Sequence, residues 1–265
     1  AACADADVII FAGGISPSLE GEEMPVSIEG FRGGDRTKIE LPTAQTELVK
    51  ALKAAGKKVV FVNFSGSAMG LTDVEPSCDA ILQAWYPGEE GGNAIASVLY
   101  GTYNPAGRLP VTFYKSTDQL PDFEDYSMKG RTYRYMTDKP LYPFGYGLSY
   151  STFKYGKAKI RKDGDKVFVT VKVKNTSKLD GQDVIQLYVS RPGDTEGPSH
   201  ALRAFRRVSI PKGKTVKVEF ELTPESFEWF DTNHNLMTTM PGQYEILYGA
   251  SSDLKKKKKL KYQIN

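Results

Sequence analysis

The chain has only two cysteines and two histidines in 265 residues. Cys3 and Cys78 are too few for a disulfide framework and leave the redox compartment undetermined. His200 and His234 lie far apart, so no histidine pair stands at metal-ligand spacing and no Cys/His metal cluster is expected. No apolar run approaches the roughly 20 residues that span a bilayer. No secretory leader is visible either. The first residues, Ala1 to Asp7, run straight into an apolar segment, as if the sequence were entered partway through a longer protein. A missing leader therefore carries no information on secretion. An excess of one charge is also lacking: the formal net charge is +3, too small to argue for nucleic acid. The one basic run, Lys255 to Lys259, reads as a solvated strand edge or tail, with a polyanion-binding patch as the sharper alternative.

What is present is ordinary for a folded chain: 40% hydrophobic and 25% charged residues, at a length that fits one or two domains. Tyrosine and phenylalanine are plentiful, which suits β-rich cores and sugar-binding surfaces equally. The first part alternates strand and helix. Val8 to Ala12, ending in Gly13-Gly14, reads as a strand buried on both faces. A polar, Gly-rich and acid-rich stretch covers residues 15–40. A helix runs from about Leu41-Pro42-Thr43 to Ala55, with Leu48, Val49, Leu52 and Ala55 on one face and Gly56 as its stop. Lys58 to Phe64 and Ala80 to Tyr86 read as further strands, and Glu89 to Tyr100 as a short helix. This spacing predicts an α/β domain with a mostly parallel sheet and right-handed crossovers over residues 1–120.

Residues 121–150, rich in Tyr, Pro and Gly, read as an irregular connector. From Ser151 onward helical periodicity disappears. Lys166–Lys174, Asp183–Val189, Thr215–Leu222 and Gln243–Tyr248 alternate as strands, separated by Asp163-Gly164, Pro211-Lys-Gly213 and Pro241-Gly242. Residues 151–265 are therefore expected to form one antiparallel β-sandwich, with Trp229 in its core.

The segment from Gly13 to Arg36 carries the most chemistry. It begins where a parallel strand ends, and ligands in open α/β sheets bind beyond the carboxyl ends of strands. Four carboxylates, Glu20, Glu22, Glu23 and Glu29, crowd into it. Clustered carboxylates repel, so one held in a closed pocket gains a raised pKa and the capacity to donate a proton. The plainer alternative is a solvated acidic loop. A phosphate cradle at Gly13-Gly14 is a weak reading: no fingerprint spacing and no following Lys-Ser/Thr are present, and the acidic surroundings repel phosphate.

The order of segments resembles the C-terminal part of glycoside hydrolase family 3 enzymes. The resemblance rests on Gly21-Glu22 in an acidic loop after a strand, then Asp35-Arg36, then Leu41-Pro42 with Gln45 and Leu48. It continues through Ala84-Trp-Tyr-Pro-Gly88, Glu90-Gly91, Val98-Leu-Tyr-Gly101, Asn104–Phe113 and Pro143–Phe153. Gly181, Val184, Gln186–Val189, Leu202, Phe205, Gly213, Phe220 and Pro241-Gly242 resemble the fibronectin-type-III-like domain of the same enzymes. The match covers nearly the whole chain in order.

The resemblance implies a retaining, exo-acting β-glycosidase with no metal or organic cofactor. Its partners would be an oligosaccharide substrate and an N-terminal barrel domain of the same enzyme, which carries the nucleophilic Asp and has no counterpart in this sequence. Neither nucleic acid nor membrane insertion is implied, and an oligomer is compatible with it. The acid/base residue falls on Glu22, through both Gly21-Glu22 and Glu20-Gly-Glu22, with Glu23, Glu29 and Glu20 as alternatives; Glu20 reads best as a neighbour that tunes the acid. Asp35-Arg36 is expected to form an ion pair or to cap the loop's return. Trp85 is expected in a core rather than against a sugar, and Asn104–Pro110 to set a corner. The Glu-x-Glu pattern leans toward β-xylosidase, with β-glucosidase as runner-up, and a non-catalytic carbohydrate-binding or scaffolding module is the rival from another class. The resemblance also points to a periplasmic or secreted protein, and to a chain that is inactive without its barrel.

Overall fold

The structure, a computed structural model, describes residues 3–21, 23–253 and 259–264. Glu22 and the lysines 255–258 therefore lie outside the described residues. The chain forms two compact units. One comprises Ala1–Tyr100, Thr112–Tyr126 and Pro140–Tyr142; the other comprises Gly101–Val111, Ser127–Lys139 and Pro143–Asn265.

In the first unit, β1 (Val8–Gly14) leads into three short strands, β2 (Ser27–Ile28), β3 (Phe31–Arg32) and β4 (Asp35–Arg36). Helix α1 (Thr43–Ala54), β5 (Lys58–Phe64), β6 (Ala80–Gln83) and helix α2 (Gly91–Leu99) follow. The strands β1, β5 and β6 form a parallel sheet in that order, with Ile9 opposite Val59, Phe11 opposite Phe61 and Phe61 opposite Ile81. Val, Ile and Phe dominate the strands because branched and aromatic side chains fit a pleated surface that is covered. Helix α1 packs against β5 and β1 and buries Val49 among Val59, Phe61, Met69, Leu71 and Val74.

Two expectations about faces are corrected. Strand β1 is not buried on both sides: Phe11 stacks on Phe61 at 5.4 Å, whereas Val8 and Ile10 are 48% and 51% exposed. The reason is position, since β1 is an edge strand and α1 covers the face on which Phe11 lies. On α1 itself, Leu48 is 47% exposed while its neighbour Val49 is fully buried, so the buried face runs through Thr46 and Val49. Strand β6 also ends earlier than its apolar run, because Trp85 takes a left-handed backbone conformation (φ +58°) that breaks the extended chain.

The second unit holds a one-turn helix, α3 (Thr132–Tyr135), then β7 (Phe153–Tyr155), β8 (Lys159–Asp163), β9 (Lys166–Asn175) and β10 (Gly181–Ser190). Next come β11 (Ala201–Ile210), β12 (Thr215–Leu222), β13 (Glu228–Asp231), β14 (Leu236–Thr239), β15 (Gly242–Gly249) and β16 (Lys259–Ile264). One antiparallel sheet runs β11-β10-β15-β16 and the other β12-β9-β7, with β8 also on β9 and β13-β14 as a separate hairpin. Their core is the alternating set Val167, Val169, Val171 and Val173 with Ile185, Leu187, Val189, Phe220, Tyr244, Ile246 and the buried Trp229. Arg108 and Asp183 form a buried ion pair at 2.7 Å, and the Tyr155 hydroxyl donates to the other oxygen of Asp183 at 2.7 Å. Asn104 ties its corner by donating to Ser151 Oγ (2.9 Å) and the Asp180 carbonyl (2.8 Å). Among the described residues no helix is long and apolar enough to cross a membrane.

Candidate catalytic arm

Because β1, β5 and β6 run parallel, their carboxyl ends, Gly14, Phe64 and Gln83, gather along one edge of the sheet. The acidic segment leaves from that edge. Gln45 of α1 fixes its start: the Gly14 N–H donates to Gln45 Oε1 and Gln45 Nε2 donates to the Gly14 carbonyl, both at 2.7 Å. The Ile15 N–H then donates to the Phe64 carbonyl at 2.8 Å.

Beyond that point the segment is more ordered than a solvated loop. Strands β2, β3 and β4 pair as a small antiparallel meander, with Ile28 opposite Phe31 and Phe31 opposite Arg36. Phe31 is buried in the core below and anchors the meander. The loop closes at a neck where Gly34 meets Gly21. A β-carbon on Gly34 would sit 1.6 Å from the Gly21 carbonyl oxygen, and its φ of +87° belongs to glycine.

One residue before the neck, Glu20 is held from several directions. Ser67 Oγ donates to its Oε1 at 3.0 Å, the Tyr86 hydroxyl donates to its Oε2 at 3.2 Å, and Arg36 Nη1 lies 3.7 Å from Oε1. Arg36, on the returning strand β4, also donates to Ser67 Oγ (2.8 Å), the Ala68 carbonyl (3.1 Å) and the Ile39 carbonyl. Burial pulls the Arg36 pKa down, opposed by the charges of Glu20 and Glu40. Behind Ser67, Asn63 Nδ2 donates to Gln83 Oε1 (2.6 Å), Gln83 Nε2 to Ser65 Oγ (3.0 Å) and Ser65 Oγ to the Ser67 carbonyl (2.8 Å). This chain of side chains ties the ends of β5 and β6 together.

The other candidates are placed differently. Glu29 is exposed on the meander, 3.3 Å from Lys38 Nζ, and the Thr43 hydroxyl and Lys38 hold its carboxyl below the usual range. Glu23 is exposed with φ +53°. Glu22 lies outside the described residues. The structure thus brings Glu20 and Arg36 together and leaves Glu29 apart from them. Trp85, half-buried, meets Phe113 edge-on at 6.1 Å. Ser67 and Tyr86 are the residues that the sequence did not single out for this site. Their one local signal is position, since Ser65-Gly-Ser67 directly follows β5 and Trp85-Tyr86 comes one residue after β6.

The folded chain matches solved glycoside hydrolases along its whole length. A β-glucosidase from Erythrobacter marinus superposes with a TM-score of 0.85 at 36% identity, covering 100% of this chain and 35% of that one. The family 3 β-glucosidase of Bifidobacterium adolescentis gives 0.86 at 28% identity, over 99% of this chain and 40% of that one. Residues 1–150 match the family described as glycosyl hydrolase family 3 C-terminal domain, and residues 183–252 match a fibronectin type III-like domain. The chain belongs to glycosyl hydrolase family 3. It is 60% identical to a xylan 1,4-β-xylosidase of Xylanibacter ruminicola over 94% of its own length, and 34% identical to a periplasmic β-glucosidase of Salmonella typhimurium over 95%. It spans only 29% and 34% of those two proteins.

Proposed function

We propose that this chain is the C-terminal part of a retaining, exo-acting β-xylosidase that removes β-linked sugars from the non-reducing ends of plant-derived oligosaccharides. The observation that carries the reading is the 60% identity to a xylan 1,4-β-xylosidase, extending over the acidic arm and both units. Retaining hydrolysis uses two carboxyl groups about 5–5.5 Å apart, one ionised to attack the anomeric carbon and one protonated to serve the leaving oxygen. On this reading the nucleophilic Asp belongs to a barrel domain elsewhere in the protein, and the arm between Gly14 and Arg36 delivers the acid. Placing the two carboxyls on different domains lets each environment set its own pKa.

Within the arm we assign the acid/base role to Glu22. Both oxygens of Glu20 already accept hydrogen bonds, and Glu29 is held below the usual range by Thr43 and Lys38, which suits neither to proton donation. Glu23 is the remaining alternative. Glu22 first protonates the leaving oxygen and then takes a proton from the water that opens the glycosyl-enzyme. A periplasmic or secreted location accords with the Salmonella typhimurium relative. The second reading, β-glucosidase, draws on the structural matches.

In the full-length enzyme, Glu22→Ala should lower kcat/KM at least about a hundredfold on substrates with poor leaving groups, far less on activated aryl glycosides, and azide should restore turnover. An unchanged rate on both substrates would remove Glu22 from the role. Comparing kcat/KM for xylosides and glucosides decides between the two specificities.

A further inference from the structure

We propose that Tyr86 is a positioning residue for the acid/base arm, acting through Glu20; the proposal rests on reading that loop as the arm. Tyr86 follows Trp85, whose left-handed backbone (φ +58°) is costly for a side chain of that size. Such a conformation persists only where the surroundings over-determine it, and here it redirects the chain as it leaves β6. The Tyr86 ring then lies on Gly66: a β-carbon at Gly66 would come within 2.7 Å of the ring's Cε2. Although the side chain is 40% exposed, its hydroxyl has a defined partner, donating to Glu20 Oε2 at 3.2 Å. Burial and the Glu20 charge both raise the Tyr86 pKa, which keeps the phenol protonated as a donor.

The geometry gives this bond its purpose. Glu20 stands one residue before the Gly21–Gly34 neck, and Arg36 stands two residues after it. Ser67 beyond β5 and Tyr86 beyond β6 hold the same carboxylate. One side chain therefore joins the outgoing chain, the returning chain and the ends of the two neighbouring parallel strands. In sequence, Glu22 stands two residues after Glu20. Loosening this clamp leaves the acid in the loop but widens the range of positions it samples, and proton transfer is sensitive to such displacement. A clamp of this kind affects kcat more than substrate binding.

The experiment uses the full-length enzyme. Tyr86→Phe keeps the ring on Gly66 and removes only the donor; Gly66→Ala keeps the donor but pushes the ring away. Each should lower kcat about tenfold on a poor-leaving-group substrate such as a disaccharide, with KM and the rate on an activated aryl glycoside within about twofold. The double variant should be no worse than the more severe single one, because both act on one contact. Unchanged rates overturn the proposal, as does an equal loss on both substrates accompanied by a lower Tm. Glu22→Gln measured alongside separates the two ideas. If it spares the disaccharide while Tyr86→Phe retains the leaving-group dependence, the acid assignment falls and the positioning role stands. The converse pair of results overturns the positioning role alone.

Discussion

His200 packs against the rings of Tyr133 and Tyr188, with centroids 5.3 and 5.2 Å away, and burial pushes its pKa down to about 4. In the unfolded chain the imidazole titrates near about 6.5, so folding favours the neutral ring. This contribution is fully present above about pH 6.5 and is lost progressively as pH falls toward 4, up to about 3 kcal/mol in all. The urea midpoint should therefore drop between pH 7 and 4.5, and His200→Gln should remove part of that drop. A variant with the parent slope would assign the acid sensitivity to other groups. Nothing in the residues around His200 in sequence announces its burial, because Tyr133 arrives from far along the chain. The same holds for the acidic arm. Glu20, Glu22 and Glu29 are chemically alike in the sequence; what distinguishes Glu20 is Ser67 and Tyr86, 47 and 66 residues away.

At the scale of elements, periodicity located the parallel strands and the four sandwich strands β9, β10, β12 and β15, since alternation and apolar runs report burial directly, and left the other strands of the second unit unread. It failed where geometry departs from the regular period. Strand β11 went unread because its pairing with β10 slips at Leu187/Tyr188, which interrupts the alternation. Strand β1 was read as doubly buried because an apolar run does not reveal that its strand stands at an edge. On α1, Val49 and Leu52 face the core as expected whereas Leu48 and Ala55 are exposed, and this yields a contrast that can be measured. Val49→Ala should cost about 2 kcal/mol, from lost burial and the cavity left behind. Leu48→Glu, on the exposed side, should stay within about 0.5 kcal/mol. Denaturant unfolding of the two variants checks the assignment, and the reverse ranking would place the helix in another rotation.

For the whole molecule, the class was legible early: an α/β unit with a parallel sheet, then an antiparallel sandwich. The switch from period 3.6 to period 2 along the chain was enough for that. The arm's meander and its neck were not, because they depend on glycine backbones meeting across twelve intervening residues. If the division of carboxyls between domains holds, these 265 residues expressed alone should turn over neither an aryl xyloside nor an aryl glucoside, while the full-length enzyme does. Turnover by the chain alone within about tenfold of the full-length rate would sink that division.

The neck between Gly21 and Gly34 has a consequence for how this arm can vary. Chain held together at its base is insulated from its own length: doubling a closed loop costs only about 0.6 kcal/mol of closure entropy. Residues can be added to or removed from the meander's tip while the root stays registered on Gln45, Arg36 and Tyr86. The segment is thus a cassette, in which length and tip sequence are free to diverge while the point of attachment stays constant.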